Sequence, residues 1–342
     1  MKNSLKGGKW PLYKVLLACA LTGAFSYAIS KRSNSTPKYP SASPAAERKA
    51  TLNVTRLKNQ GLIQPLLMAE VDDESVVYTG LKEQLQASIS RQQNDGVITR
   101  VSVYLFNFNQ ADWMSINKDQ EYDPGSIMKL PILLAYLRKA ESNPGLFDRK
   151  ILYTGPDASM PEQTIVSGTL IPGKHYSIRE LLRYMLVESD NQANALLNRS
   201  IEPEFVFKVF SDLGLQVPKV EQSAVKMNIV DVSKFLRVLF NSSYTGREQS
   251  EYAMQLLTKT KFSEGMKKAI PDSITLVHKF GERGYRDTTY QELHETGIIY
   301  VQGTPVLLTI MTGGNDQARQ AGCIRELTGI CYNWVYNSLA SH

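Results

Sequence analysis

The sequence predicts an α+β domain in which an antiparallel sheet is flanked by helices and carries an inserted all-helical lobe. Segments rich in β-branched and aromatic residues, which favour strands, occur near residues 96–117 and again near 274–314. Between them, residues 142–270 show mostly helical apolar spacing. Because two strand-rich parts flank one helical part, we expect the terminal segments to share one sheet and the middle to form a lobe.

Each element follows from a local pattern. Leu81, Leu85 and Ile89 repeat at helical spacing in the first predicted helix. "GVITRVSVYLFNFNQ" predicts a strand and "ADWMSINKD" its hairpin partner. A helix begins near Ser126, and the lobe helices are predicted at SIRELLRYMLVES, QANALLNRS, PEFVFKVFSDLG, IVDVSKFLRVLFNS and REQSEYAMQLLTKT. Strands return at ITLVHKFGE, HETGIIYVQ and TPVLLTIMTGG, and a last helix ends the chain.

Residues 1–30 predict a membrane anchor or a signal peptide. Four lysines precede the uncharged run 15–30. Counted from Trp10, with Lys14 reaching back to the interface, the run approaches the roughly 20 residues that span a bilayer. A cleaved signal, lipidation of Cys19 and a buried core helix are the alternatives. The positive charge ahead of the run predicts an extracytoplasmic body, anchored in the cytoplasmic membrane or secreted after cleavage.

The net charge of +6 comes from the first 50 residues, which hold nine Lys or Arg and one acid. The rest holds 30 basic and 32 acidic residues, so we expect no nucleic-acid partner. Residues 31–74, which open "KRSNSTPKYPSASPAAERK", predict a Ser/Pro-rich linker without a core of its own. Residues 75–342 are then one catalytic domain.

Neither a metal nor a cofactor is expected. The four histidines are scattered, and no Cys/His group has the spacing of metal ligands. Cys323 and Cys331 lie on the apolar face of the last predicted helix. Eight residues of helix span about 12 Å, whereas a disulfide needs Cα atoms within about 7 Å. These two cysteines are therefore predicted to be unpaired core residues.

The candidate nucleophile lies in "DPGSIMKLP", residues 123–131. If a helix starts at or before Ser126, then Lys129 lies on the same face, one turn later. A serine hydroxyl needs a base to remove its proton, and a lysine desolvated by apolar neighbours has a lowered pKa and can be that base. An N-cap serine with a surface lysine is the alternative.

The pattern S-x-x-K occurs three more times, at Ser35–Lys38, Ser115–Lys118 and Ser223–Lys226. The first lies in the predicted linker, the second in a predicted hairpin and the third in a loop-like stretch. Only Ser126 has the context of a helix start.

Two further stretches carry chemistry. "VESDNQANALL" places Ser189, Asp190 and Asn191 between two predicted helices, as an N-cap or as a proton relay with an amide for a substrate carbonyl. "LVHKFGE" places Lys279 and Gly281 on a predicted edge strand, where lysine can bind a carboxylate and glycine admits a substrate backbone.

In this order, the three stretches resemble the S-x-x-K, S-D-N and K-T-G motifs of the penicillin-recognising serine hydrolases, over about residues 78–340. "GKHYSIRELLRYMLVESDNQAN" looks like the class A β-lactamase segment that leads into S-D-N. The resemblance implies a β-lactamase/transpeptidase-like fold and a serine hydrolase that forms an acyl-enzyme.

The resemblance also implies a role for each matched residue. Ser126 would be acylated, Lys129 would be its base and Ser189 would pass a proton to the leaving group. Asn191 would bind the substrate amide and Lys279 the substrate carboxylate, while Gly281 would shape the edge strand. The backbone N–H groups of Ser126 and Glu282 would form the oxyanion hole.

Two departures from the family pattern affect the function. The third motif reads Lys279-Phe280-Gly281, so its hydroxyl is missing. The E-x-x-L-N loop, whose glutamate activates the deacylating water in class A β-lactamases, has no counterpart, and Glu221 is the only acid in "LQVPKVEQSAVKMN".

These departures favour a penicillin-binding D-alanyl-D-alanine peptidase that acts on peptidoglycan stem peptides. The alternatives are a β-lactamase with an unusual deacylation route and a penicillin-binding sensor or scaffold that does not turn over.

Overall fold

A five-stranded antiparallel sheet organises the computed structural model, which describes residues 51–58, 63–157, 169–218 and 225–340. The strand order is β4-β3-β11-β10-β9, so the predicted sheet of terminal segments is confirmed and β9 lies at its edge. The sheet strands are β3 (Ile98–Asn107), β4 (Asp112–Ile116), β9 (Leu276–Gly284), β10 (Gln291–Val301) and β11 (Thr304–Gly314).

Short strand pairs lie outside this sheet: β1 with β2, β5 with β8, and β6 with β7. Their bounds are β1 (Leu52–Arg56), β2 (Leu66–Val71), β5 (Glu121–Tyr122), β6 (Lys150–Leu152), β7 (His175–Ser177) and β8 (Met227–Asn228).

Helices cover both faces of the sheet. Those of the described residues are α1 (Thr79–Gln93), α2 (Lys129–Ser142), α3 (Ile178–Val187), α4 (Asn191–Ser200), α5 (Pro203–Asp212), α6 (Ile229–Phe240), α7 (Arg247–Leu257) and α8 (Gln317–Ala340). Helices α1 and α8 pack on one face, and α6, α7 and the helical lobe lie on the other. The predicted α+β class and the inserted lobe are therefore confirmed.

Side chains alternate between two cores along the central strands, as the period of a strand requires. In β3, Val103 and Leu105 pack with α1 and α8, whereas Tyr104 and Phe106 pack with the lobe. Cys323 and Cys331 are free and buried in the first of these cores, as the sequence predicted.

Local sequence sets the start of α3. Ser177 caps the helix, and its hydroxyl accepts a hydrogen bond from the Glu180 N–H while the Glu180 carboxylate accepts one from the Ser177 N–H. This reciprocal pair satisfies two N–H groups that would otherwise have no partner at the helix start. The helix that ends just before Ser189 therefore begins at a defined residue.

The prediction of a linker without a core is wrong for part of residues 31–74. Strands β1 and β2 pair antiparallel within that range, and Leu67 and Met68 are buried in the lobe-side core. Burying a leucine side chain contributes about 1.5–3 kcal/mol, which favours docking of this hairpin on the core.

An ion pair also holds this hairpin. Glu70 binds the guanidinium of Arg237 on α6, and the Ser243 hydroxyl donates to the Leu67 carbonyl at 2.7 Å. The apolar letters of "LLMAEV" are the signal for this strand in the sequence.

The predicted anchor over residues 1–30 lies outside the described residues, as does most of the predicted linker. Within the described ranges, no helix combines the length and the apolar character that crossing a membrane requires.

Candidate active site

The nucleophile candidate Ser126 lies in a tight turn where the chain enters α2. A 3₁₀ turn, Gly125–Met128, leads directly into the helix at Lys129. Gly125 has φ +55°, and a Cβ there would come within 2.3 Å of the Glu282 carbonyl oxygen. Both the positive φ and the lack of space for a Cβ require glycine here. The next residue, Ser126, is partly exposed to solvent.

Lys129 lies beneath Ser126 and is buried. Its Nζ donates to Ser126 Oγ at 2.9 Å, to Asn191 Oδ1 at 2.8 Å and to Ser189 Oγ at 3.1 Å. It also donates to the Ser189 carbonyl. Burial lowers the pKa of Lys129 from 10.5 to about 7, although the negative charges of Asp190 and Glu282 act in the opposite direction. A lysine in this state is neutral often enough near pH 7 to accept the serine proton.

Ser189 connects α3 to α4 and is fully buried. It has φ +56°, an uncommon conformation for a residue with a side chain. The next residue, Asp190, caps α4, since its carboxylate accepts from the Ala193 N–H at 2.6 Å. At this turn the Ser189 hydroxyl lies within hydrogen-bond distance of Lys129 Nζ and Lys279 Nζ.

Lys279 approaches Ser189 from the edge strand. Its Nζ donates to Ser189 Oγ and to the Phe280 carbonyl, both at 2.9 Å. Burial, followed by the positive charge of Lys129, lowers the pKa of Lys279 well below its usual value. The Lys279 side chain is fully buried in the free protein, so its role as the holder of a substrate carboxylate stays a prediction.

Phe280, which replaces the hydroxyl residue of the third motif, packs against Lys279. The Phe280 ring lies 4.2 Å from Lys279 Nζ and stacks on Phe262 at 4.5 Å. Phe262, in the segment after α7, was missed in the sequence because nothing local marks it as a neighbour of β9.

Gly281 lies where β9 passes close to the nucleophile turn. A Cβ at this position would meet the Pro124 carbonyl at 2.1 Å and the Ile127 nitrogen at 3.0 Å. The glycine therefore lets β9 lie against the nucleophile turn, and its role towards a substrate backbone stays a prediction. The backbone of Glu282, the predicted second oxyanion donor, lies against Gly125 as a result.

In the other described S-x-x-K pair, Ser115 and Lys118 have different partners and do not contact each other. Ser115 lies in β4 and its hydroxyl donates to Glu74 at 2.6 Å, while Lys118 Nζ lies over the Trp113 ring. Ser35, Lys38, Ser223 and Glu221 lie outside the described residues. Of the two S-x-x-K pairs that lie within the described residues, Ser126–Lys129 is in hydrogen-bond contact and Ser115–Lys118 is not.

A comparison with protein families decides the relationship. The model of the "Beta-lactamase enzyme family" matches residues 80–335, about three quarters of the chain. The chain belongs to the β-lactamase enzyme family. As a member it is a serine hydrolase of the β-lactamase-like type, and the resemblance read from the three motifs is confirmed.

Individual relatives of this family member are distant. The β-lactamase VEB-1 of Pseudomonas aeruginosa is 21% identical over 258 residues, which cover 70% of this chain and 86% of VEB-1. A β-lactamase of Streptomyces albus G is 21% identical over 254 residues, covering 66% of this chain and 77% of that protein.

Solved structures show the same fold. PBP-A matches with a TM-score of 0.63 at 20% identity, covering 77% of this chain and 97% of PBP-A. The TLA-1 extended-spectrum β-lactamase matches with a TM-score of 0.64 at 17% identity, covering 74% of this chain and 99% of TLA-1. The match to the family model begins at residue 80, after β1 and β2.

Proposed function

We propose that this β-lactamase-family hydrolase is a penicillin-binding D-alanyl-D-alanine peptidase that acts on peptidoglycan stem peptides. The observation that carries the proposal is the position of Lys129 Nζ, which is in hydrogen-bond contact with the hydroxyls of both Ser126 and Ser189. One base of near-neutral pKa then serves both the nucleophile and the proton relay.

Acylation follows from this geometry. Lys129 Nζ takes the Ser126 proton as Oγ attacks the substrate carbonyl carbon, and the N–H groups of Ser126 and Glu282 stabilise the oxyanion. The carbon–nitrogen bond then breaks, the leaving nitrogen takes the Ser189 proton, and Lys129 returns a proton to Ser189. The products are a Ser126 ester and a free amine, which is D-alanine for a peptide.

Deacylation is expected to be slower than acylation. Hydrolysis of the ester needs a base that holds a water on the correct side. The two carboxylates whose charge acts on Lys129 are engaged elsewhere: Asp190 accepts from the Ala193 N–H, and Glu282 accepts from Gln317 Nε2 at 2.6 Å. This supports slow release of penicillin, whose ring-opened fragment stays attached, and better release of a peptide acyl group.

Penicillin binding has a precedent in a relative of this fold. A point mutant of PBP-A has been solved as an acyl-enzyme complex with penicillin-G, and that protein matches this chain with a TM-score of 0.63. By analogy, a β-lactam would acylate Ser126 here.

A β-lactamase is the second candidate, because both curated relatives carry that name. It requires an efficient base for deacylation. Glu221, outside the described residues, is the acid of the corresponding loop.

Mass spectrometry of the purified catalytic domain with penicillin over time separates these functions. We expect an adduct on Ser126 that lasts for minutes or longer, with slow release of D-alanine from a D-Ala-D-Ala peptide. Rapid nitrocefin hydrolysis without a detectable adduct would contradict the peptidase and establish the β-lactamase. A stable adduct without any peptide turnover would indicate a penicillin sensor.

We also propose that the protein works outside the cytoplasm, held in the membrane by residues 1–30. The support is the four lysines that precede an uncharged run. Fractionation and protease accessibility in intact cells test this. A soluble cytoplasmic protein with its N-terminus intact would disprove it.

A further inference from the structure

A buried carboxylate lies beside the nucleophile turn and takes no part in the reaction described above. Glu292, on β10, is 1% exposed. Its Oε2 accepts from the Asp123 N–H at 2.9 Å and from the Tyr285 hydroxyl at 3.0 Å, and its Oε1 accepts from the Tyr290 hydroxyl at 3.1 Å. Arg100 lies 3.5 Å from Oε1.

Each polar atom of Asp123, three residues before Ser126, lies near a hydrogen-bonding or charged partner. Glu292 holds its N–H, and His294 Nε2 lies 3.1 Å from its carbonyl oxygen. Its Oδ1 accepts from the Gly125 N–H at 3.1 Å, and its Oδ2 lies 3.0 Å from Nε of Arg283.

A hydrogen bond at Nδ1 determines the tautomer of His294. The Thr312 N–H lies 3.2 Å from His294 Nδ1, so Nδ1 accepts and the proton of the neutral ring lies on Nε2. The His294 ring therefore donates to the Asp123 carbonyl. Two strand residues, Glu292 and His294, thus hold the backbone N–H and the carbonyl of Asp123.

Glu292 is ionised in this environment. Burial opposes its charge, but the hydrogen bond from the Asp123 N–H and the positive charge of Lys226 act to lower its pKa. A buried carboxylate is expensive to desolvate, and an apolar side chain of similar size is often no less stable. A role in orientation accounts for a charge here better than a role in stability does.

We propose that Glu292 and Asp123 are positioning residues that fix the nucleophile turn. Glu292 sets the Asp123 backbone, and the Asp123 carboxylate then holds the Gly125 N–H in the left-handed turn that precedes Ser126. This arrangement aims the Ser126 N–H into the oxyanion hole and keeps Ser126 Oγ over Lys129. The inference rests on the proposed role of Ser126 as the nucleophile.

Rapid-mixing kinetics of penicillin acylation test the proposal in Glu292→Gln. We expect the acylation rate constant to fall by about 10–30-fold, the effect of weakening one hydrogen bond to a charged group. The dissociation constant of the non-covalent complex should stay within about twofold, because the substrate contacts are intact. The pH midpoint of acylation should not move, because Lys129 is untouched.

Tyr290→Phe is the matched control. It removes a donor from Oε1 of the same carboxylate but leaves the Oε2 bond to Asp123, so acylation should stay within about twofold of the wild type. An equal loss in both variants would overturn the proposal, because the effect would then come from the β9–β10 hairpin as a whole.

Asp123→Asn provides a second measurement should Glu292→Gln not fold. It keeps an oxygen for the Gly125 N–H but loses the charge opposite Arg283, and a loss of about threefold or more in the acylation rate is expected. Wild-type acylation in a folded Glu292→Gln protein, or in Asp123→Asn where Glu292→Gln does not fold, would overturn the inference. Failure of the wild type itself to be labelled at Ser126 would instead refute the proposed function.

Discussion

Lys129 and Lys279 are both buried and share Ser189 as a partner, yet they differ in their other neighbours. Lys129 is reached through Ser126, which is partly exposed. Lys279 is fully buried, and the Phe280 ring, which stacks on Phe262, lies 4.2 Å from its Nζ. Burial is the largest cause that lowers the pKa of both lysines. Contact with the nucleophile then distinguishes Lys129, the candidate base, from Lys279, which donates to Ser189 and to the Phe280 carbonyl.

The largest effect is expected at the hydroxyl that only Lys129 contacts. Ser126→Ala should abolish labelling by a fluorescent penicillin, because Ser126 is partly exposed, whereas Ser189, the other described serine in contact with a site lysine, is fully buried. Gel fluorescence measures this, with Ser115→Ala as the matched control that retains full labelling. Persistent labelling of Ser126→Ala would show that another serine is the nucleophile.

Removal of the base should be nearly as severe. Lys129→Ala should slow acylation by about 10²–10⁴-fold, the usual contribution of a positioned general base. Stopped-flow measurement of adduct formation gives the rate. A wild-type rate in this variant would remove Lys129 from the mechanism and with it the contrast between the two lysines.

The pH dependence of acylation distinguishes the lysine that acts as the base. Because the pKa of Lys129 is lowered to about 7, the neutral, active form increases as pH rises through 7. Acylation should therefore rise by about tenfold between pH 6 and pH 8. A rate that is flat over this range would mean that Lys129 is not the titrating base.

Removal of the Phe280 ring beside Lys279 is expected to have the smallest effect on the reaction. Phe280→Thr restores the hydroxyl of the third motif and uncovers the Lys279 Nζ, so KM should fall by about fivefold for peptides that end in a free carboxylate. A peptide amide is the matched control and should not respond. The lost ring should also reduce the free energy of unfolding by about 3 kcal/mol, measured by urea denaturation. An unchanged KM would show that Lys279 does not bind the carboxylate.

Sequence reasoning located the site residues because each motif is short and local. The turn at Gly125, the helix junction at Ser189 and the edge strand at Lys279 are set by neighbouring residues, through glycine conformation, helix capping and strand pattern. The family resemblance then supplied their order and implied roles.

The contacts between distant segments could not be predicted from short local motifs. Phe262 on Phe280 and Glu292 on Asp123 join residues separated along the chain by up to 169 positions. Nothing in either local pattern specifies its partner, because packing and buried hydrogen bonds depend on where whole elements meet.

By itself the sequence determined the α+β class, the helix and strand periods, and the serine, lysine and amide that form the candidate site. Those features depend on backbone geometry and side-chain spacing within one element. Tertiary structure alone decided that "LLMAEV" packs into the core instead of serving as a linker. It also decided that Gly281 makes room for the Pro124 carbonyl and that Lys279 is fully buried. The physical reason is that close packing and desolvation are properties of surfaces brought together from separate elements.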